Sequence, residues 1–85
     1  MSIKMKLDRF GIVKHIVLTD PEISIQAKGL YSVLCCYANA NRVCWPSLST
    51  LADVTDTSQS SIKRYLLELK THNIIHREGR KLRII

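Results

Sequence analysis

The second half of this chain most constrains its fold: two helices, each opened by a serine, stand only a few polar residues apart. Residues 46–56 read P-S-L-S-T-L-A-D-V-T-D and residues 57–72 read T-S-Q-S-S-I-K-R-Y-L-L-E-L-K-T-H. Ser47 and Ser58 are placed as N-caps, where a hydroxyl oxygen accepts a backbone N–H that the first turn leaves unpaired. Leu48, Leu51, Ala52 and Val54 give the first helix a short apolar face that ends near Thr55. Asp56 and Thr57 form the turn. In the second helix, predicted over residues 59–72, Ile62, Leu66 and Leu69 fall at i, i+4 and i+7 and make one stripe, with Tyr65 beside it. Asn73 is suited to a left-handed C-terminal residue. Residues 74–77 and 81–85 then alternate around Glu78-Gly79-Arg80, which reads as a β-hairpin.

The first half is less sharply marked. Residues 9–18, R-F-G-I-V-K-H-I-V-L, are rich in β-branched and aromatic side chains and predict an extended segment or short strand. Thr19-Asp20-Pro21-Glu22 is turn chemistry, with Thr19 or Asp20 placed to cap a single helical turn. Ser24 caps a longer helix over residues 25–40, whose stripe is Ile23, Ala27, Leu30, Tyr31, Leu34 and Ala38, widened by Val33 and Tyr37. Gly29 weakens this helix by about 1 kcal/mol relative to Ala, and is expected to permit a close approach of another element. Residues 43–46, V-C-W-P, form an extended link, because the residue before a proline avoids the helical region. Trp45 is expected in the core between the long helix and the hairpin, the alternative being an exposed stacking residue.

The 85 residues fit a single domain spanning 1–85, and an apolar content of 46% is that of a folded globule. No apolar run reaches the ~18 residues of a membrane span, and the N-terminus lacks the apolar core of a signal peptide, so a cytoplasmic location is expected. Cys35, Cys36 and Cys44 are an odd number of thiols with no zinc-ligand spacing, and structural thiols are expected. The charge is uneven. Residues 1–62 net +1, whereas residues 63–85 carry Lys63, Arg64, Lys70, Arg77, Arg80, Lys81 and Arg83 against Glu68 and Glu78, a net +5. A concentrated basic surface favours a polyanion as partner.

Together these elements predict a mainly α fold with a small β-hairpin: a three-helix core carrying a helix-turn-helix, followed by a basic wing. A major groove admits one α-helix, and helix 59–72 is apolar on one side and polar on the other. Gln59, Ser60, Lys63 and Arg64 are the candidates for base edges, Gln suiting adenine and Arg or Lys suiting guanine. Ser49, Thr50, Thr57, Ser58 and Ser61 are candidates for phosphate. Arg77, Arg80, Lys81 and Arg83 would follow the backbone or minor groove from the wing. Neutralising about five phosphates gives a log-log salt slope of roughly −4 to −5. Glu68 is expected to pair with Arg64 one turn earlier.

The segments A-K-G-L-Y-S-V-L, V-C-W-P-S-L-S-T-L-A, S-Q-S-S-I-K-R-Y-L-L-E-L and N-I-I-H-R resemble a family of winged helix-turn-helix domains. These occur in bacterial, plasmid and phage proteins, often at the N-terminus of replication initiators. The resemblance covers roughly residues 10–85, and its most specific part is P-S-x-x-x-L-A at Pro46 to Ala52. Ser58 to Leu69 resembles the recognition helix, and Asn73 stands where the family usually has Gly. The resemblance implies binding of double-stranded DNA, in replication initiation or in transcription regulation. The alternative is a winged helix that docks proteins without DNA. Paired carboxylates, a Ser-His-Asp set, a phosphate-binding glycine loop and a metal cluster are all missing from the sequence, so neither an enzyme nor a cofactor or small-molecule substrate is expected. The apolar run from Phe10 to Leu18 leaves a homodimer open, packing within one subunit being the other use for it.

Overall fold

A computed structural model describes residues 11–85. A one-turn helix α1 (His15–Leu18) leads to α2 (Ile25–Tyr37), strand β1 (Val43–Cys44), α3 (Leu48–Thr55), α4 (Gln59–Thr71), β2 (Ile75–Glu78) and β3 (Lys81–Ile84). Helix α4 packs against both α2 and α3, and its C-terminal end leads into the sheet. The sheet is antiparallel with order β1-β3-β2, so β3 is central. Val43 and Cys44 pair with Arg83 and Leu82, and Ile75 through Glu78 pair with Ile84 through Lys81.

Local chemistry sets each boundary. Ser24, Ser47 and Ser58 all cap as their positions predict, accepting from the N–H groups of Ala27, Thr50 and Ser61. Helices α3 and α4 also end alike. Past α3, the N–H groups of Asp56 and Thr57 donate to Asp53 and Ala52; past α4, those of Asn73 and Ile74 donate to Lys70 and Leu69. This is the Schellman arrangement, which needs a left-handed residue, and Asp56 (φ 53°) and Asn73 (φ 61°) supply it. Asp and Asn tolerate that conformation better than most side chains. Because Asp56 closes α3 and Ser58 opens α4, only Thr57 lies between the stop and the next cap. Gly79 (φ 66°) turns the hairpin.

The core is a continuous cluster drawn from every helix and from the inner face of the sheet, including Val17, Ala27, Tyr31, Leu34, Leu51, Ile62, Leu69, Ile75 and Leu82. Each fully buried large aliphatic side chain contributes about 1.5 to 3 kcal/mol relative to an exposed one. Several expectations fail. Residues 15–18 are a helical turn and not a strand, and this turn precedes Thr19; residues 9 and 10 lie outside the described residues. Helix α2 stops at Tyr37, short of residue 40. The link at residues 43–46 contains a third strand. Trp45 is 60% exposed and Tyr37 43% exposed, so neither is core. Val54 also faces solvent. Gly29 makes no close approach: a Cβ there would meet nothing within 4 Å, and the residue lines an apolar groove of about 320 Å3 beside Val33 and Val54. It is Gly11 that packs tightly, since a Cβ on it would lie 2.9 Å from the Cys36 backbone nitrogen.

Glu68 does not pair with Arg64. Its carboxylate accepts from the Ser24 N–H at 2.7 Å and from the Ser24 hydroxyl at 2.8 Å. The same hydroxyl oxygen accepts from the Ala27 N–H at 3.1 Å. The Ser24 bonds hold the Glu68 carboxyl below the usual carboxylate range. Their contribution is therefore complete above the unfolded value of about 4.3 and lost as pH falls through the lower folded value. Ser24→Ala should lower the unfolding free energy by about 2 kcal/mol in urea titrations near neutral pH. The stability gap between the wild type and Glu68→Gln should be constant near neutrality and shrink below about pH 4.3.

Candidate nucleic-acid interface

The buried stripe of α4, Ile62, Leu66 and Leu69, turns the opposite side of the helix to solvent. Gln59, Ser60, Lys63, Arg64, Leu67, Lys70 and Thr71 are exposed there. The first turn is small and polar, and the Ser58 hydroxyl both caps Ser61 N and donates to the Ser61 hydroxyl at 3.1 Å. The start of α3 repeats the device with Ser47 and Thr50. Ser49, Thr50 and Thr57 are exposed beside these two helix starts. Arg64 leans back on its own helix. Its Nη2 donates to the Ser61 hydroxyl at 3.2 Å, and its guanidinium lies 5.4 Å from the Tyr65 ring centroid, a cation–π contact.

The hairpin divides its cations between its two faces. Side chains alternate along a strand, and Arg77 pairs in register with buried Leu82, which puts it on the side that faces the helices. There it meets α4. Leu48, Lys63, Leu66, Leu67, Lys70 and Arg77 together line an open cleft of about 300 Å3. Lys81 and Arg83 lie on the other face with Glu78. Arg83 donates two hydrogen bonds to the Glu78 carboxylate at 3.0 and 3.1 Å, and Lys81 approaches it at 3.7 Å. The Arg83 bonds hold the Glu78 carboxyl below its usual range. Arg80 sits exposed at the tip after Gly79.

The structure thus brings Lys63 and Arg77 to one cleft and separates Arg83 and Lys81 from it. Sequence reasoning puts Leu67 on the outward face of the helix without giving it a role, and passes over Lys70 at the cleft. Their signal was present, since residues 63, 67 and 70 recur at helical spacing. Of the thiols, Cys35 and Cys44 are buried and Cys36 is exposed; burial pushes the Cys44 thiol up to about 11. Among the described residues no group of three or more His, Cys, Asp or Glu side chains is placed to hold a metal ion, and no helix is long and apolar enough to cross a membrane.

A family described as "Helix-turn-helix domain" matches residues 22–75, and the chain belongs to it. Membership implies DNA as the partner. Among solved structures, one described as "Structure of MDR initiator" is similar with a TM-score of 0.69. The match covers 100% of this chain and 83% of that one at 15% identity, a level at which the likeness is one of fold. No curated protein matches.

The division of the wing generates a contrast. Arg77→Ala should weaken duplex binding and reduce the salt slope by about 1. Arg83→Ala should leave both nearly unchanged. Fluorescence anisotropy titrations from about 50 to 200 mM salt measure the two slopes.

Proposed function

We propose that this chain is a single winged helix-turn-helix domain, residues 1–85, that binds double-stranded DNA with α4 in the major groove and the hairpin along the backbone. The observation that carries this reading is the cleft in which Lys63 and Lys70 of α4 face Arg77 of β2. Cations on both walls of a cleft beside an exposed helix suit a phosphate strand that borders a groove, and phosphate contacts set register while base contacts set sequence. Gln59, Ser60, Lys63 and Arg64 are the base-reading set. Arg64 gives up only its bond to Ser61 and its ring contact to reach a guanine. Ser49, Thr50, Thr57, Ser58 and Ser61 serve phosphate through the two capped helix starts, and Arg80 extends from the tip. Arg83 and Lys81 take part only where the duplex reaches the outer face of the wing.

The likeness to a chain described as an initiator supports a role in replication initiation, with transcription regulation as the other process such a domain serves. Either role places the protein in the cytoplasm. A homodimer is supported by Ile12, Val13 and Ile16, three exposed apolar residues close together near the N-terminus; such pairing would match half-sites about one helical turn apart.

Selection of bound duplexes from a random pool tests the reading. A sharp motif is expected, palindromic if the protein pairs. Absence of retardation at low salt would leave the protein-docking alternative. On the selected site Arg64→Ala should cost about 1 to 3 kcal/mol and relax preference at one position.

A further inference from the structure

Leu67 is 62% exposed, although its neighbours Leu66 and Leu69 are buried. It stands between Lys63 and Lys70 on α4 and shares the cleft with them and with Arg77. Among the described residues nothing covers it, so an apolar side chain is held in water inside a group of three cations. A protein partner would need an apolar pocket ringed by acids to match it. A duplex supplies both requirements at once. Phosphates line the edges of the major groove, and the one apolar group on its floor is the thymine C5 methyl.

We infer that Leu67 is a specificity-determining residue that reads a thymine methyl group, while Lys70 and Arg77 hold the flanking phosphates. This rests on the DNA-binding reading above and adds to it a base identity. Leucine neither donates nor accepts a hydrogen bond, so the only distinction it can draw is the presence of the methyl. A cytosine or a uracil at the same place carries only a hydrogen at C5, and the side chain loses its apolar contact.

The test uses the full chain and the tightest duplex selected from a random pool, synthesised once with thymine and once with deoxyuridine at every thymine. The exchange removes methyl groups and leaves each hydrogen-bonding edge intact. The wild type should bind the deoxyuridine duplex about fourfold more weakly for each methyl buried. Leu67→Ala should bind both duplexes with nearly equal affinity, and its thermal melt should match the wild type because the side chain is exposed. Equal binding of the two duplexes by the wild type overturns the inference, as does an undiminished thymine preference in Leu67→Ala; in both cases duplex binding itself stands. Failure of the wild type to retain any duplex overturns the DNA-binding reading and this inference with it.

Discussion

One carboxylate determines how α4 is presented. Glu68 lies in the middle of that helix and accepts two hydrogen bonds from Ser24, the residue that begins α2. Apolar packing is non-directional and would let α4 rotate by several degrees about its axis. Two short charge-assisted bonds to one residue do not permit this. With α4 held so, Lys63, Leu67 and Lys70 line the cleft opposite Arg77. Ser24 meanwhile keeps its capping role for Ala27, so the start of α2 and the azimuth of α4 depend on the same hydroxyl.

The hairpin complements this arrangement by keeping its charges apart. An ion pair between exposed groups adds little stability, and the Glu78–Arg83 bonds are better understood as a constraint on orientation. Strand register puts Arg83 on the outer face, and these bonds fix its guanidinium on Glu78, the only acid of the wing. Arg77 is left opposite α4, and no acid is among the described residues that line the cleft. The basic excess of the last quarter of the chain therefore does not form a uniform coat; it is concentrated where helix and ribbon meet.

Features governed by nearest neighbours were legible in the sequence. The three serine caps, the left-handed Asn73 and the buried stripe of α4 need only residues within one turn of each other. The failures at β1, Trp45 and Glu68 involve distant partners. Strand β1 exists because Val43 and Cys44 find Arg83 and Leu82 far along the chain, and a two-residue strand carries no pattern of its own. Cys44 takes the inward position of that strand, which leaves Trp45 outside. Glu68 had an acceptable local partner in Arg64, but a capping residue 44 positions earlier offered two donors. The turn at residues 15–18 shows the same override. Its β-branched residues favour extension, yet the Lys14 N–H is held at 2.9 Å by the Tyr31 hydroxyl. At the candidate interface, residue types were readable, whereas the face each wing cation occupies depends on strand register.

Arg42 joins parts of the chain that are otherwise remote. Its backbone is left-handed at φ 62°, and its carbonyl accepts from the Ile84 N–H. The guanidinium donates to the carbonyl oxygens of Ile12 at 2.8 Å and Ile85 at 2.6 Å, and reaches the Tyr31 hydroxyl at 3.4 Å. Only a planar fork spans so many acceptors at once. One side chain thus fastens the segment before α1, the middle of α2 and the end of β3 to a single point on the loop that leads into β1.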